Sequence, residues 1–90
     1  MPMLLLHTGK TFTFPRPQFL ITVIAQHAGQ ENGDCEVRYQ DQQQIEYEVP
    51  HSGRPPDECL IRALTEGNQD IPLLSIDNTG NYDIVVTYSS

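Results

Sequence analysis

Asp34-Cys35-Glu36-Val37-Arg38-Tyr39-Gln40-Asp41-Gln42-Gln43-Gln44-Ile45-Glu46-Tyr47-Glu48-Val49 alternates apolar and polar residues on both sides of a short polar break. Alternation with period two is the signature of half-buried strands, since successive side chains point to opposite faces of a sheet. The apolar set is Cys35, Val37 and Tyr39 on one arm and Ile45, Tyr47 and Val49 on the other. With Asp41-Gln42-Gln43 as the turn, a hairpin opposing Tyr39 to Ile45 and Val37 to Tyr47 puts every apolar residue on one face. The same register opposes Arg38 to Glu46 and Glu36 to Glu48 on the wet face.

The pattern recurs on either side of this stretch. Tyr82-Asp83-Ile84-Val85-Val86-Thr87-Tyr88 alternates in the same way, and Asp77-Asn78-Thr79-Gly80-Asn81 is a turn cluster joining it to Leu73-Leu74-Ser75-Ile76. Upstream, Asn32-Gly33 is a short-range hairpin signal. Leu4-Leu5-Leu6-His7 and Thr11-Phe12-Thr13-Phe14 flank Thr8-Gly9 as another short hairpin, after which Pro15 and Pro17 force an extended crossing. Residues 18–28 carry polar positions every fourth residue, which would suit a helix ended by Gly29. The β-branched run Ile21-Thr22-Val23-Ile24 favours a buried strand instead. One helix is signalled, over residues 56–66. Asp57 can cap it, or Ser52 or Arg54 can precede a Pro55-Pro56 start; Glu58 lies in its first turn, Cys59, Leu60, Ala63 and Leu64 share a face, and Gly67 ends it.

Composition limits what such a chain can do. Ninety residues are one domain (1–90), and five Lys and Arg against twelve Asp and Glu give a formal net charge of −7. The charge is unevenly placed: residues 1–30 hold Lys10 and Arg16 and no acid, while residues 31–90 hold all twelve acids. Direct nucleic-acid binding needs clustered Lys and Arg and is not expected. The apolar run at the N-terminus stops at His7 with no preceding charge, and no window approaches a membrane span, so a cytoplasmic protein with no membrane role is expected. Two cysteines, Cys35 and Cys59, are too few for a disulfide framework, although one bridge between them stays open beside two buried thiols.

No motif carries a reaction. Gly9-Lys10-Thr11 has the letters of a phosphate-loop ending, but position 4 is Leu where that loop needs Gly, and Pro15 stops any following helix. His7, His27 and His51 are each isolated, without the close pairing that announces a zinc site. Cys59 near a helix start would gain thiolate character, which Asp57 and Glu58 oppose. Asp77, Asn78, Asn81 and Asp83 lack the spacing of a calcium loop and match what a tight turn selects. Ser52, Ser75, Ser89 and Ser90 have no nucleophile pattern around them. No catalytic residue, metal ligand or cofactor is assigned.

The sequence therefore predicts an α+β domain of mainly antiparallel hairpins with one short helix packed on the sheet. Its strands fall at 3–7, 11–14, 19–27, 34–40, 44–49, 71–76 and 82–88. Its core comprises Phe19, Ile21, Val23, Val37, Tyr39, Ile45, Tyr47, Leu60, Leu64, Leu74, Ile76, Ile84 and Val86. Glu36, Glu46 and Glu48 share one outward face of the 34–49 hairpin, with Asp34 and Asp41 at its ends and Arg38 as the lone cation. That face points to a non-enzymatic binding protein that covers a basic surface on a protein partner, which could itself be a nucleic-acid-handling protein. Small inhibitors encoded by phages or paired with toxins share this size and charge, an analogy that no particular residue carries. Two other classes stand beside it. One is a structural subunit of a homo-oligomer or larger assembly, with the strand ending Tyr88-Ser89-Ser90 as an edge for pairing. The other is a small enzyme or metal protein using dispersed His and Cys.

Overall fold

The computed structural model describes residues 2–25, 33–40, 43–49, 58–67 and 69–89. Ten strands account for most of them: β1 (Met3–Leu6), β2 (Thr11–Gln18), β3 (Leu20–Ala25), β4 (Gly33–Tyr39), β5 (Gln44–Val49), β6 (Glu58–Arg62), β7 (Leu64–Glu66), β8 (Gln69–Ile71), β9 (Leu73–Asp77) and β10 (Ile84–Thr87). They form a first sheet in the order β1-β10-β3-β6, a second sheet in the order β2-β9-β4-β5, and a small β7-β8 ribbon. Every pairing is antiparallel. The inner faces of the two sheets share one buried cluster: Leu6, Ile21, Val23, Ile61, Ile84 and Val86 from the first, and Phe14, Cys35, Val37, Tyr39, Val49, Leu73 and Ile76 from the second. This is a two-layer β-sandwich.

The α+β expectation is thereby corrected: among the described residues the protein is all-β and has no helix. The segment read as a helix over 56–66 forms β6 and β7 from Glu58 onward. The cause is visible along β6, where Ile61 is buried while Leu60 and Arg62 are exposed. That is period two, imposed by the ladder that pairs Leu60 with Thr22 and Ile61 with Ile21. Tertiary pairing outweighs a short helical pattern in a chain segment this brief. Gly67 does have positive φ (62°), but in the β7-β8 turn and not at a helix end. Residues 56 and 57 lie outside the described part.

Hairpins in series are corrected too. β4-β5 and β7-β8 are hairpins, whereas β1 and β2, β3 and β4, and β9 and β10 each lie in different sheets. Turn residues such as Thr8-Gly9 and Asn78-Thr79-Gly80 reverse the chain equally well when it arches from one layer to the other. The register of β4-β5 also differs by two residues from the expected one. Val37 opposes Ile45, Glu36 opposes Glu46, and Tyr39 N donates to Gln43 O at 3.0 Å to close the turn. A shift of two keeps every side chain on its expected face. β10 is flanked by β1 and β3, so the terminal strand is not an edge.

Two buried amides join the layers where the chain crosses between them. The Gln18 Nε2 donates to Ser89 O at 2.6 Å while its Oε1 accepts from Ser89 N at 2.7 Å, tying the end of β2 to the segment after β10. Asn78 Nδ2 donates to Leu6 O at 3.0 Å and Tyr82 O at 2.8 Å, and its Oδ1 accepts from Gly80 N at 3.1 Å. Phe12, Phe14 and Tyr88 pack ring against ring, with centroids 5.2–5.6 Å apart, beside the same junction. Of the expected core, Phe19 and Leu60 are exposed, Ile45, Tyr47 and Leu74 are half-buried, and the side chain of Leu64 lies outside the described part.

Candidate functional site: the acidic outer face of the second sheet

Cross-strand pairing lays out the outer face of the second sheet as a grid. One row runs Thr11, Asp77, Glu36, Glu46 and the next Thr13, Ser75, Arg38, Gln44, with Asp34 opposite Glu48 at the far corner. Asp34, Glu36, Glu46 and Glu48 are thus gathered on one face, as expected. Asp41 lies outside the described residues. Two like-charge pairs face each other directly, Glu36 with Glu46 and Asp34 with Glu48. Such opposition costs about 0.2–1 kcal/mol per pair.

Asp77 is the acid that sequence reasoning missed. It was assigned to the turn, yet β9 continues through it and aligns it beside Glu36. The available signal was Ser75-Ile76-Asp77, one more step of polar-apolar alternation. Arg38 lies across this carboxylate, with Nη2 2.8 Å from Asp77 Oδ2 and Nε 3.7 Å from Glu36 Oε1. Asp77 Oδ1 is buried and receives no hydrogen bond among the described residues. Among the described residues the face therefore carries five carboxylates against the guanidinium of Arg38.

The face is not flat. Register shifts where Arg38 pairs with Ser75 and Tyr39 with Leu73, leaving Leu74 as the extra residue of a bulge. An open cleft of about 410 Å³ lies there, lined by Arg38, Tyr39, Gln44, Leu74 and Ser75. Beneath it the buried Tyr39 hydroxyl lies 3.0 Å from the Tyr47 hydroxyl and donates to Arg62 O at 3.3 Å. Burial first, and then the Tyr47 contact, push the Tyr39 phenol well above the ordinary tyrosine range. At the Asp34 end, a Cβ on Gly80 would collide with the Asp34 backbone, so only glycine lets the 78–82 corner pack there.

Among the described residues, the other side chains of chemical interest are not gathered into one site. Cys35 is a buried thiol on the inner face of β4. Asp83 accepts from Thr8 N at 3.2 Å through Oδ1 and meets His7 Nδ1 at 3.0 Å through Oδ2, far along the chain from Cys35 and fixing the β1-β2 turn. Asn78 is consumed by its three backbone contacts. Among the described residues no group of three or more His, Cys, Asp or Glu is placed to hold a metal ion, and no helix is long and apolar enough to cross a membrane. His27 and His51 lie outside the described part. Comparison with family models, with curated proteins and with solved structures finds no match for this chain.

Proposed function

We propose that this chain is a non-enzymatic binding protein whose acidic outer sheet face, built on Glu36, Glu46, Glu48, Asp34 and Asp77, covers a basic surface on a protein partner. The observation that supports this reading is the direct opposition of Glu36 and Glu46 across β4 and β5. A sheet gains nothing in stability from like charges at facing positions. A concentrated field of one sign accelerates encounter with a complementary surface and rejects partners of like sign. A rigid sheet holds the carboxylates at fixed spacing, so little ordering is needed on binding. A partner that handles nucleic acid through a basic groove has the required chemistry.

The test is affinity capture from the source cell at low and high salt, with the wild-type chain and with a Glu36→Gln, Glu46→Gln, Glu48→Gln variant. A basic protein retained by the wild type at low salt, and lost with salt or with the variant, supports the reading. Identical retention by both chains contradicts it.

A further inference from the structure

We propose that the outer face of the first sheet is the interface of a homodimer, in which two copies pack these faces against each other. A sandwich whose two outer faces both meet water should be polar on both. The second sheet obeys this, with Thr, Ser, Asp, Glu, Arg and Gln facing out. The first sheet does not. Its ladders place Met3, Thr87, Thr22 and Leu60 in one row and Leu5, Val85, Ile24 and Glu58 in the next, with Leu20 beside Arg62. Met3 is 69% exposed, Leu60 55%, Leu5 46% and Leu20 40%, while Thr22, Ile24, Val85 and Thr87 are partly covered by these neighbours. Arg62 and Glu58, both on edge strand β6, are the charges that the ladders align with this face.

Size and charge both favour a second copy as the occupant. Four strands spaced about 4.8 Å apart, the longest rising about 3.3 Å per residue over six residues, give a flat footprint of roughly 400 Å². Side-chain relief, with exposed Phe19 and Arg62 at the rim, brings this to the low end of stable interfaces, roughly 600 Å² per partner. Asp34, Glu36, Glu46, Glu48 and Asp77 lie on the opposite layer and Glu58 stands on edge strand β6, so two copies can meet through β1, β10 and β3 of their first sheets with the acidic face directed away from the contact. An anionic bilayer would be repelled by a chain of net charge −7. Strand-to-strand growth of the second sheet is blunted by Pro15 and Pro17 on edge strand β2 and by Glu46 and Glu48 on edge strand β5. The product is a closed, isologous dimer that displays two acidic faces outward.

Sedimentation equilibrium from about 1 to 500 μM tests this. The expected result is a mass rising from 10.2 kDa to about twice that value. Salt should tighten the dimer, because it screens repulsion between two acidic chains while leaving apolar burial intact. That dependence is opposite in sign to the one expected for the acidic face, so the two proposals fail separately. Leu60→Glu at the edge and Thr22→Arg at the centre should each weaken association at least tenfold with circular dichroism unchanged, and Thr13→Ala on the other layer should leave it intact. Should Leu60→Glu fail to fold, the concentration series and Thr22→Arg still decide. A monomer at every concentration overturns the proposal. So does a dimer indifferent to Thr22→Arg, or monomer captured by phosphatidylcholine vesicles.

Discussion

Replacing Arg38 by Ala is expected to lower stability and at the same time strengthen the acidic field, separating two properties that usually change together. The magnitude follows from exposure: the Arg38 side chain is 45% exposed and that of Asp77 only 11%, with 2.8 Å between them. Fully exposed pairs are worth about 0.2–1 kcal/mol, and breaking a fully buried one costs about 3–5 kcal/mol. A half-exposed guanidinium over a nearly buried carboxylate falls between, at about 1.5–2 kcal/mol for Arg38→Ala. Most of that cost is the Asp77 carboxylate left without its cation beside Glu36. Adding Asp77→Asn removes the stranded charge, so the double variant should be more stable than the sum of the single effects predicts, by about 1–1.5 kcal/mol. Urea unfolding at equilibrium reads this directly: with a slope of about 1 kcal/mol/M, Arg38→Ala should move the midpoint down by about 1.5 M. The cycle should change little between low and moderate salt, because a nearly buried pair is poorly screened. Single effects that add within about 0.3 kcal/mol would refute the claim that Arg38 neutralises Asp77.

Asn78→Asp keeps the shape of the side chain but removes the donor to Leu6 O and Tyr82 O, and should cost about 2–3 kcal/mol in urea unfolding, as much as Asn78→Ala. Glu46→Lys replaces the like-charge opposition to Glu36 by an opposite pair and should stabilise the fold by about 0.5–1 kcal/mol at low salt, with the gain shrinking as salt rises. The Tyr39 phenol, held above its usual range by burial and Tyr47, ionises in the unfolded chain before it does in the folded one. Its contribution is therefore fully present below about pH 10 and is lost as pH rises further, and alkaline unfolding followed at 295 nm should be less steep for Tyr39→Phe.

Local pattern made part of this architecture legible and left the rest to long-range pairing. The alternation in 34–40 and 44–49 identified a hairpin and sorted Glu36, Glu46 and Glu48 from Cys35, Val37, Tyr39, Ile45, Tyr47 and Val49 onto opposite faces. It could not fix the register, because a shift of two preserves both faces and only the Tyr39-Gln43 closure distinguishes the alternatives. Nor could it assign strands to sheets. Thr8-Gly9 and Asn78-Thr79-Gly80 reveal backbone reversals, whereas the destination of the chain depends on packing across the sandwich. Leu60 misled twice, once as a helix-face residue and once as core, because a leucine on an outer sheet face reads like one inside. Asp77 was hidden by Asp and Asn being good turn formers, although here a strand ends on it.

The claim that most needs a direct test is that Glu36, Glu46 and Glu48 form a recognition surface for a basic partner. The measurement is the association rate constant with the captured partner as a function of ionic strength, for the wild type and for the triple Gln variant. The wild-type rate should fall at least about tenfold between 50 and 500 mM salt, and the variant should be slower with a flatter slope. Equal rates and equal slopes for the two chains would contradict it.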